Sequence, residues 1–577
     1  MTDRMEKGAA ADALEQIASF MELKGENIFR IRTFRTVARV VGGLPGTLRQ
    51  ALDDGSLAAT KGVGPATLEA ITELAATGRS ALLNELRGQV PAGLVEMLSI
   101  SGLGVAKIRQ IHEALGIDSL PELEAAAADG RLAGLPRFGQ KTADNIRKSI
   151  VFLRQASAFR LAHHAADEAR SLVEALTRVP GVLSATAAGE VRRRSEIVRD
   201  LVIVLVAEVP AADLFARLGQ VPGVHEFAGQ DERHVTLRFT GGTSAQVVVT
   251  PPLNAGAVLV QATGSDAHLR QLEAHAAATG CSLRGAAVWR GSEFVPTPDE
   301  AALYRALNLP WVPPELREGG GELEAAAAGT LPTLLEETDL RGFLHCHTTY
   351  SDGSNSVADL AEGVRAAGYA WMGITDHSQS AAYAGGLSPD ALRRQAADIA
   401  TVGARMPGFR ILHGVEADIR VDGRLDYEDD VLAQLDFVIG SIHSRFNLSE
   451  SDMTARVLAA LDNPFLTILG HPTGRLLLSR DAYAIDLEAV FAKAAPRGVA
   501  IEINADPHRL DLDWRVLQAA RAKGVMISIG ADAHSLAGLG NIAYGVGIAR
   551  KGWLGPSEVL NTRTAEGFLD FVQARRG

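Results

Sequence analysis

Apolar and polar positions divide this chain into distinct regimes. From residue 1 to about 155 the pattern is that of helices separated by short glycine-rich breaks. Three breaks are alike: KGVGPATLEAI (61–71), SGLGVAKIRQI (101–111) and PRFGQKTADNI (136–146). Each sets an apolar residue before or between small ones and then enters a helix. From 156 to about 252, one helical stretch, HHAADEARSLVEALTRV, precedes the β-rich runs LVIVLVAEV, HVTLRF and SAQVVVTPP. That predicts a small α+β layer. A mixed segment, 253–317, ends in LPWVPPELRE and gives way to EGGGELEAAAAGTLP, whose glycines and alanines suit a connection. From Gly342 onward, short apolar runs alternate with helical stretches: FLHCH, WMGITDH, ILHGVEADI, FVIGSIHS, LTILGHP, VAIEINA and VMISIGADAH. A repeated βα pattern predicts a parallel barrel or a doubly wound sheet.

Size and charge narrow the picture. A chain of 577 residues is too long for one core, so three or four domains are expected. The 57 basic and 69 acidic residues give a net charge of -12. This excludes a protein that coats nucleic acid through bulk charge and leaves room for local basic patches. Two cysteines, Cys281 and Cys346, are too few for a disulfide framework and suit a reducing cytoplasm. The N-terminus has no apolar signal core, and no long uncharged apolar run is present; a cytoplasmic protein without a membrane span is expected.

The βα repeat carries the strongest chemical signal. In parallel barrels the C-terminal strand ends converge on one mouth. Here the runs end in His345 and His347 (with Asp352 in the next loop), Asp376 and His377, Glu416, His443, His471, and Asp532 and His534. Cys346, between two histidines at strand spacing, points the other way. Imidazole and carboxylate without thiolate suit zinc, manganese or iron in a hydrolytic site. A lone strand-end histidine is ordinarily a structural residue; six such strand ends in one repeat are not. His413 and His508 fall outside the pattern and read as ordinary.

The HxH start, TDHS, the single glutamate, SIH, GHP and the closing DAH resemble the PHP (polymerase and histidinol phosphatase) domain over 342–571. The resemblance implies a distorted seven-stranded barrel with up to three metal ions, Mn2+ and/or Zn2+. It implies one ion on His345, His347 and Asp532, with Glu416 bridging to a second on His443 and His471. A third would sit on Asp352, His377 and His534, with Asp376 orienting a ligand. His345, His347, Glu416 and Asp532 are the expected catalytic set. Arg445 and Arg475, just past ligand strands, are candidate phosphate holders.

The three glycine-centred breaks resemble helix-hairpin-helix motifs, which present backbone N–H groups to a DNA phosphate without regard to sequence. Gly62, Gly64, Gly102, Gly104 and Gly139 are the candidate contacts, with Lys107 and Lys141 adding charge; Lys61 is also near. The face Arg30, Arg32, Arg35 and Arg39 could touch a strand or simply be solvated. Such motifs, then an α+β palm, then a PHP barrel, resemble bacterial family X DNA polymerases across nearly the whole chain. That family's palm reads GSxRR, a Glu, GDxD, and a third Asp before two prolines. Here Gly189, Arg192, Arg193 and Glu196 match, and Asp200 is the first Asp. Glu190 replaces the Ser, Arg199 the Gly, Val202 the second Asp and Gln246 the third. TGSDAH (263–268) keeps most of the nucleotide-contacting segment but has Asp266 where a basic residue is usual. Gly189, Arg192 and Asp200 thus read as a vestigial polymerase site. Mg2+ is not expected there unless Glu208, Asp231 or Glu232 substitutes.

The expected fold is multidomain: an all-α helix-hairpin-helix region, an α+β nucleotidyltransferase-like palm and a C-terminal distorted (β/α)7 PHP barrel. The divisions are 1–85, an N-terminal helical DNA-binding domain; 86–157, helix-hairpin-helix in the fingers position; 158–252, a degenerate palm; 253–317, thumb-like; 318–341, a linker; and 342–577, the barrel. The expected function is a DNA repair enzyme, a metal-dependent 3′–5′ exonuclease and phosphoesterase with polymerase activity absent or weak. Alternatives are an active gap-filling polymerase, a DNA-end scaffold without catalysis, and a small-molecule phosphatase. The expected partner is gapped, nicked or 3′-ended DNA, bound as a monomer, independent of sequence and away from membranes.

Overall fold

The computed structural model describes residues 7–42, 44, 48–60, 63–100, 103–156, 158–239 and 243–576. The chain forms two compact units, Met1–Ala158 with Leu478–Arg480, and Phe159–Leu477 with Asp481–Gly577. The described residues up to 156 are helical, around a core that includes Leu14, Ile17, Phe34, Ile71, Ile108 and Ile146. The glycine-rich breaks lie at helix entries. Gly64 caps Pro65–Thr77, whose proline occupies the first turn, where an amide would have no helical partner. Gly104 caps Val105–Leu115, and Gly139 immediately precedes Gln140–Ala156.

The second unit begins with the α+β layer. Its five strands are β1 (Val182–Ala187), β2 (Leu201–Ala207), β3 (Val224–Ala228), β4 (His234–Phe239) and β5 (Ser244–Thr250), in the order β1-β2-β5-β4-β3. The central pair β2 and β5 is parallel and the other pairs are antiparallel. Alternate residues of β2 face the helix Ala162–Thr177, whose buried Ala165, Ala169 and Leu172 pack with Leu201, Ile203 and Leu205. β1 and β3 carry largely exposed or half-buried side chains, so their hydrophobic pattern is too faint to mark them as strands.

A thumb-like segment follows: helices Ala255–Thr263 and Asp266–Ala278, a three-stranded antiparallel sheet, and helix Glu300–Ala306. The Gly- and Ala-rich connection is packed rather than loose. Its helix Glu322–Ala328 adds Leu323 and Ala326 to the thumb-like core, and Leu335 enters the barrel core. A buried clasp ties layer to thumb: Glu300 accepts paired bonds from Arg192 (2.5 and 2.8 Å) and from Arg317 (2.6 and 3.0 Å). Burial pushes the Glu300 carboxyl up, but Arg317 and Arg192 outweigh it and bring it down to about 2 from its ordinary 4.5. The ionised form is therefore favoured by folding. Its contribution, about 3 kcal/mol, is complete above pH 4.5 and is lost as pH falls toward 2. Glu300→Gln is expected to lower unfolding stability by about that amount at pH 7, and the gap to wild type should shrink steadily between about pH 5 and pH 3 in urea titrations. A constant gap would mean the clasp is not ionic.

The barrel strands are β6 (Gly342–Cys346), β7 (Trp371–Ile374), β8 (Arg410–His413), β9 (Glu416–Asp418), β10 (Ile439–Ser441), β11 (Ile468–Leu469), β12 (Ala500–Asn504) and β13 (Ile527–Ala533). Their order is β8-β7-β6-β13-β12-β11-β10-β9, and every pair is parallel. The two ends of this ladder, β8 and β9, are consecutive in the chain, separated by Gly414 and Val415. Those two residues continue the pairing, Gly414 N–H to Ile374 O (2.9 Å) and Ile439 N–H to Val415 O (3.0 Å). The run ILHGVEADI is thus one interrupted strand, and the sheet is seven strands closed on itself. Phe437 requires glycine there: a Cβ on Gly414, or on Gly373 of β7, would lie 2.6 or 2.5 Å from its ring. One end of the barrel is filled by Leu344, Trp371, Phe437 and Phe568 from the last helix, Ala565–Arg576. That apolar plug leaves the strand C-terminal ends to line a polar mouth.

Candidate metal centre

Nine of the ten residues read from the sequence meet in that mouth, all but Asp376. His345 Nε2 lies 3.4 Å from Glu416 Oε1 and 3.6 Å from Asp532 Oδ1. His347 Nε2 lies 3.3 Å from Asp532 Oδ1. Glu416 is the hub: His471 Nε2 is 2.9 Å and His443 Nε2 3.3 Å from Oε1, and His377 Nδ1 is 2.8 Å from Oε2. Asp352 gathers His534 (3.3 Å) and His377 (3.6 Å). Three groupings bring ligand atoms close enough to share an ion: His345–His347–Asp532, His377–Glu416–His443, and His347–Asp352–His377–His534. Among the described residues, no other His, Cys, Asp or Glu cluster does so.

Strand irregularity aims these side chains. The β6–β13 register shifts between Leu344 and Cys346, and His345 (φ 61°) and Asp532 (φ 50°) adopt left-handed backbone within strands. His471 follows suit at φ 24°. Such conformations cost about 1–3 kcal/mol each and persist where surrounding structure enforces them, most often at functional sites. Cys346, by contrast, turns into the core and its thiol meets Gly373 O.

The buried polar atoms fit cations. His345 Nε2, both ring nitrogens of His347, His471 Nδ1 and Glu416 Oε2 are buried without a hydrogen bond. Such atoms cost about 1–3 kcal/mol each if left unpaired. Burial lowers the His347 imidazole to about 4, with His534 adding to the effect, so the ring is neutral and able to donate a lone pair. Burial opposes charge on Glu416 and Asp532, yet the surrounding imidazoles hold both carboxyls well below their ordinary range. For His443, burial is overcome by Glu416 and Asp418, which raise the ring to about 10.

Several supporting residues escape the sequence reading. Glu502 Oε1 lies 2.5 Å from His345 Nδ1, and Oε2 accepts the His471 amide at 2.8 Å. Gly530 makes room for it: a Cβ there would sit 1.9 Å from Glu502 Oε1. Asp418 holds His443 Nδ1 at 2.5 Å, and Asn504 donates to Asp532 at 3.0 Å. Glu502 and Asp418 occupy alternate positions of strands, invisible without the register. Asp376 accepts from Thr348 and Ser351, fixing the loop that delivers Asp352 rather than touching a ligand itself. Outer carboxylates of this kind set tautomer and ring orientation. Glu502→Gln is accordingly expected to weaken cation binding about 10- to 100-fold in calorimetric titration, at unchanged stoichiometry.

The phosphate-holding expectation needs correction at Arg475. All three of its nitrogens are engaged, by Arg509 O, Leu510 O and Asp513, so it braces the 509–513 loop. Arg445 is exposed, with a left-handed backbone beside His443. The arginine that faces the cluster is Arg509, with Nε 3.5 Å from Asp532 Oδ2. It sits in ADPHRLD, past a strand that ends in no histidine, and so carries no signal in the sequence.

The polymerase-like motif is built differently. Val202 and Gln246 are direct partners across β2 and β5. Asp200 is exposed, one residue before the strand begins. Val202 packs, as do Leu259 and Ala262 of the thumb-like helix, against the small cluster of Ala188, Val204, Val248 and Val258, and it closes on Gly189. Arg192 is held by Glu300, and Arg193 by Glu318 and Thr263 O. Glu190 accepts the Arg199 amide at 2.6 Å. None of the three candidate substitutes lies at the Asp200 end: Glu208 follows the far end of β2, and Asp231 and Glu232 precede His234, which pairs with Val248 toward that same far end.

A DNA polymerase/3′-5′ exonuclease PolX of Bacillus subtilis (strain 168) is 36% identical over 565 residues, covering 97% of this chain and 98% of the relative. The chain belongs to the PHP-bearing bacterial family X DNA polymerases. Its parts match separate families as well: a helix-hairpin-helix domain at 5–80, a SAM-like helix-hairpin-helix tandem at 94–150, the DNA polymerase beta thumb at 258–318 and the PHP domain at 344–506. The barrel alone is similar to probable phosphatases of Caldicellulosiruptor bescii (28% over 238 residues, 40% of this chain and 94% of the relative) and Photobacterium profundum (29% over 242, 40% and 93%). In this family X chain the hairpin residues Gly62 and Gly102, with Lys61, lie outside the described residues. At Gly64, Gly104 and Gly139 a Cβ would meet nothing within 4 Å, so these helix entries face open space. Lys107 lies on the first turn of its helix, half-buried, and Lys141 is exposed. No helix among the described residues is long and apolar enough to cross a membrane.

Proposed function

We propose that this family X protein is a metal-dependent 3′–5′ DNA exonuclease and phosphoesterase acting in DNA repair, with a polymerase site that is silent or nearly so. One observation carries the reading. Nine metal-competent side chains, several with unpartnered buried atoms, converge in the barrel, whereas the palm has Val202 and Gln246 where carboxylates are needed. His345, His347 and Asp532 would hold one Mn2+ or Zn2+ ion, and Glu416, His443 and His471 a second. Asp352, His377 and His534 would hold a third. His347 and His377 each fall in two of the groupings, so either ring could serve one or the other of two neighbouring ions through its single lone pair. Bound divalent cations would supply an activated water and neutralise charge developing on the phosphate.

The protein's own groups do the rest. Glu502 and Asp418 fix the orientation of His345 and His443. Arg509 offers a cation beside the cluster for a phosphodiester oxygen. The hairpin helix entries would grip the DNA backbone without reading bases, and local rather than bulk charge would make that grip salt-sensitive. The palm would serve as a holding scaffold, without Mg2+. The test is gapped DNA labelled at the 5′ end of the primer strand, incubated with Mn2+. Shortening from the 3′ end, with no extension when dNTPs are added, is expected; extension would overturn the reading of the palm.

A further inference from the structure

Tyr383 is the most exposed of the large hydrophobic side chains among the described residues, at 75%. It stands beside the metal centre, its ring centroid 6.4 Å from that of His377. An exposed tyrosine on a loose loop would mean little. This loop is not loose. Ser378 bridges to Leu387, and Leu387 N–H bonds His377 O at 2.8 Å. Gly386 N–H bonds Ala381 O at 3.0 Å, and Ser378 N–H bonds Glu416 O at 3.0 Å. Asp426 accepts from Ser380 N–H at 2.9 Å, its backbone carbonyl accepts from Gln379, and Tyr427 donates to Leu387 O. Ala381 and Ala384, on either side of the tyrosine, are buried. Gly386 is required by the crossing, since a Cβ there would fall 1.9 Å from Ser378 O. The loop is built to hold one aromatic ring in solvent next to the His377–Asp352 edge of the cluster. The hydroxyl stays neutral: partial desolvation beside the cluster and the nearby Asp418 and Glu416 carboxylates raise it to about 12.

We propose that Tyr383 is the platform on which the base of the 3′-terminal nucleotide stacks while its phosphodiester lies over the cluster. This rests on the phosphoesterase reading above and assigns to it a nucleotide-specific contact. A base and its own phosphate are one sugar apart, so a phosphate over His377 and Asp352 leaves the base within reach of the ring. Stacking on an aromatic side chain is tolerant of sequence, because every base has a π-face. A loop whose backbone is already fixed loses little freedom on binding. It also separates polynucleotide ends from small phosphomonoesters, which have no base to stack.

The test compares two 3′ ends, one bearing a base and one abasic, with wild type, Tyr383→Ala and Tyr383→Phe. Tyr383→Ala is expected to raise KM for the base-bearing end about 5- to 150-fold. It should leave kcat and the abasic end within about twofold, and Tyr383→Phe should behave as wild type. Equal losses on both ends, or none on either, would overturn the proposal. A second measurement is independent of hydrolysis. A 3′-terminal 2-aminopurine, saturated with protein in EDTA, should be quenched by wild type and Tyr383→Phe but not by Tyr383→Ala. If wild type cleaves neither end, the phosphoesterase reading fails by itself; quenching that depends on Tyr383 would then still sustain the stacking site, and quenching that does not would remove it.

Discussion

His345→Ala/His347→Ala is expected to reduce Mn2+-dependent shortening of gapped DNA by at least about a thousandfold, with binding of the same DNA unchanged within about twofold. The two rings are central to the cluster. His347 belongs to two of its three groupings, and His345 touches Glu416, Asp532 and Glu502. Their removal also strips buried carboxylates of their partners, which destabilises by about 3–5 kcal/mol when a charge is left uncompensated. Loss of activity alone would therefore not separate chemistry from folding. Asp352→Asn supplies the separation. Its side chain is 36% exposed, and it draws together His377 and His534 at the rim. It should lose most of the shortening while its urea midpoint stays close to wild type. EDTA should mimic both variants and Mn2+ should reverse it only in wild type. Shortening that survives in the double variant would take the chemistry out of the barrel.

The site is visible in the sequence for a specific physical reason. Parallel strands buried on both faces read as continuous apolar runs, and their C-terminal ends must converge once the sheet closes. FLHCH and SIGADAH therefore announce position as well as residue type. Residues within a strand have no such marker. Glu502 and Asp418 read as ordinary polar positions until the register sets them against His345 and His443. Arg509 lies in a loop whose direction no pattern predicts, while Arg475, adjacent to a ligand strand, is drawn away by Asp513 and two carbonyls. In the palm, β-rich apolar runs locate β2, β4 and β5 but not β1 or β3, whose side chains are too exposed to leave such a run. The connection at 318–341 looks like a linker by composition, because alanine suits a packed helix as well as a spacer.

In a barrel-inactive background, the wild-type palm is expected to give no dNTP-dependent extension, and Val202→Asp/Gln246→Asp to create a divalent-cation site there. The register makes this a sharp test. Val202 and Gln246 are direct partners on adjacent parallel strands, and Asp200 stands two residues before Val202, where the strand's alternation, continued by one residue, puts it on the same face. Three carboxylates at these positions would face one point, as two-metal transfer requires. Without cations the variant should be less stable than its parent by about 1–3 kcal/mol, since a carboxylate in place of Val202 would displace apolar packing against the Ala188, Val204, Val248 and Val258 cluster and gather like charges. Saturating Mn2+ should restore that loss, because a ligand binding only the folded state stabilises it, by about 2.7 kcal/mol at a hundredfold excess over Kd. Extension should nevertheless remain feeble. Arg192 and Arg193, the cations available to a triphosphate, are held by Glu300 and Glu318, and Glu318 is also bonded by the barrel's Lys551. Restoring carboxylates supplies the ions but does not release those arginines. Robust extension by wild type would mean that a carboxylate other than Glu208, Asp231 or Glu232 reaches Asp200. Robust extension by the double variant would mean that the clasp opens when a nucleotide binds, and that the palm lost its metals without losing its grip on the triphosphate.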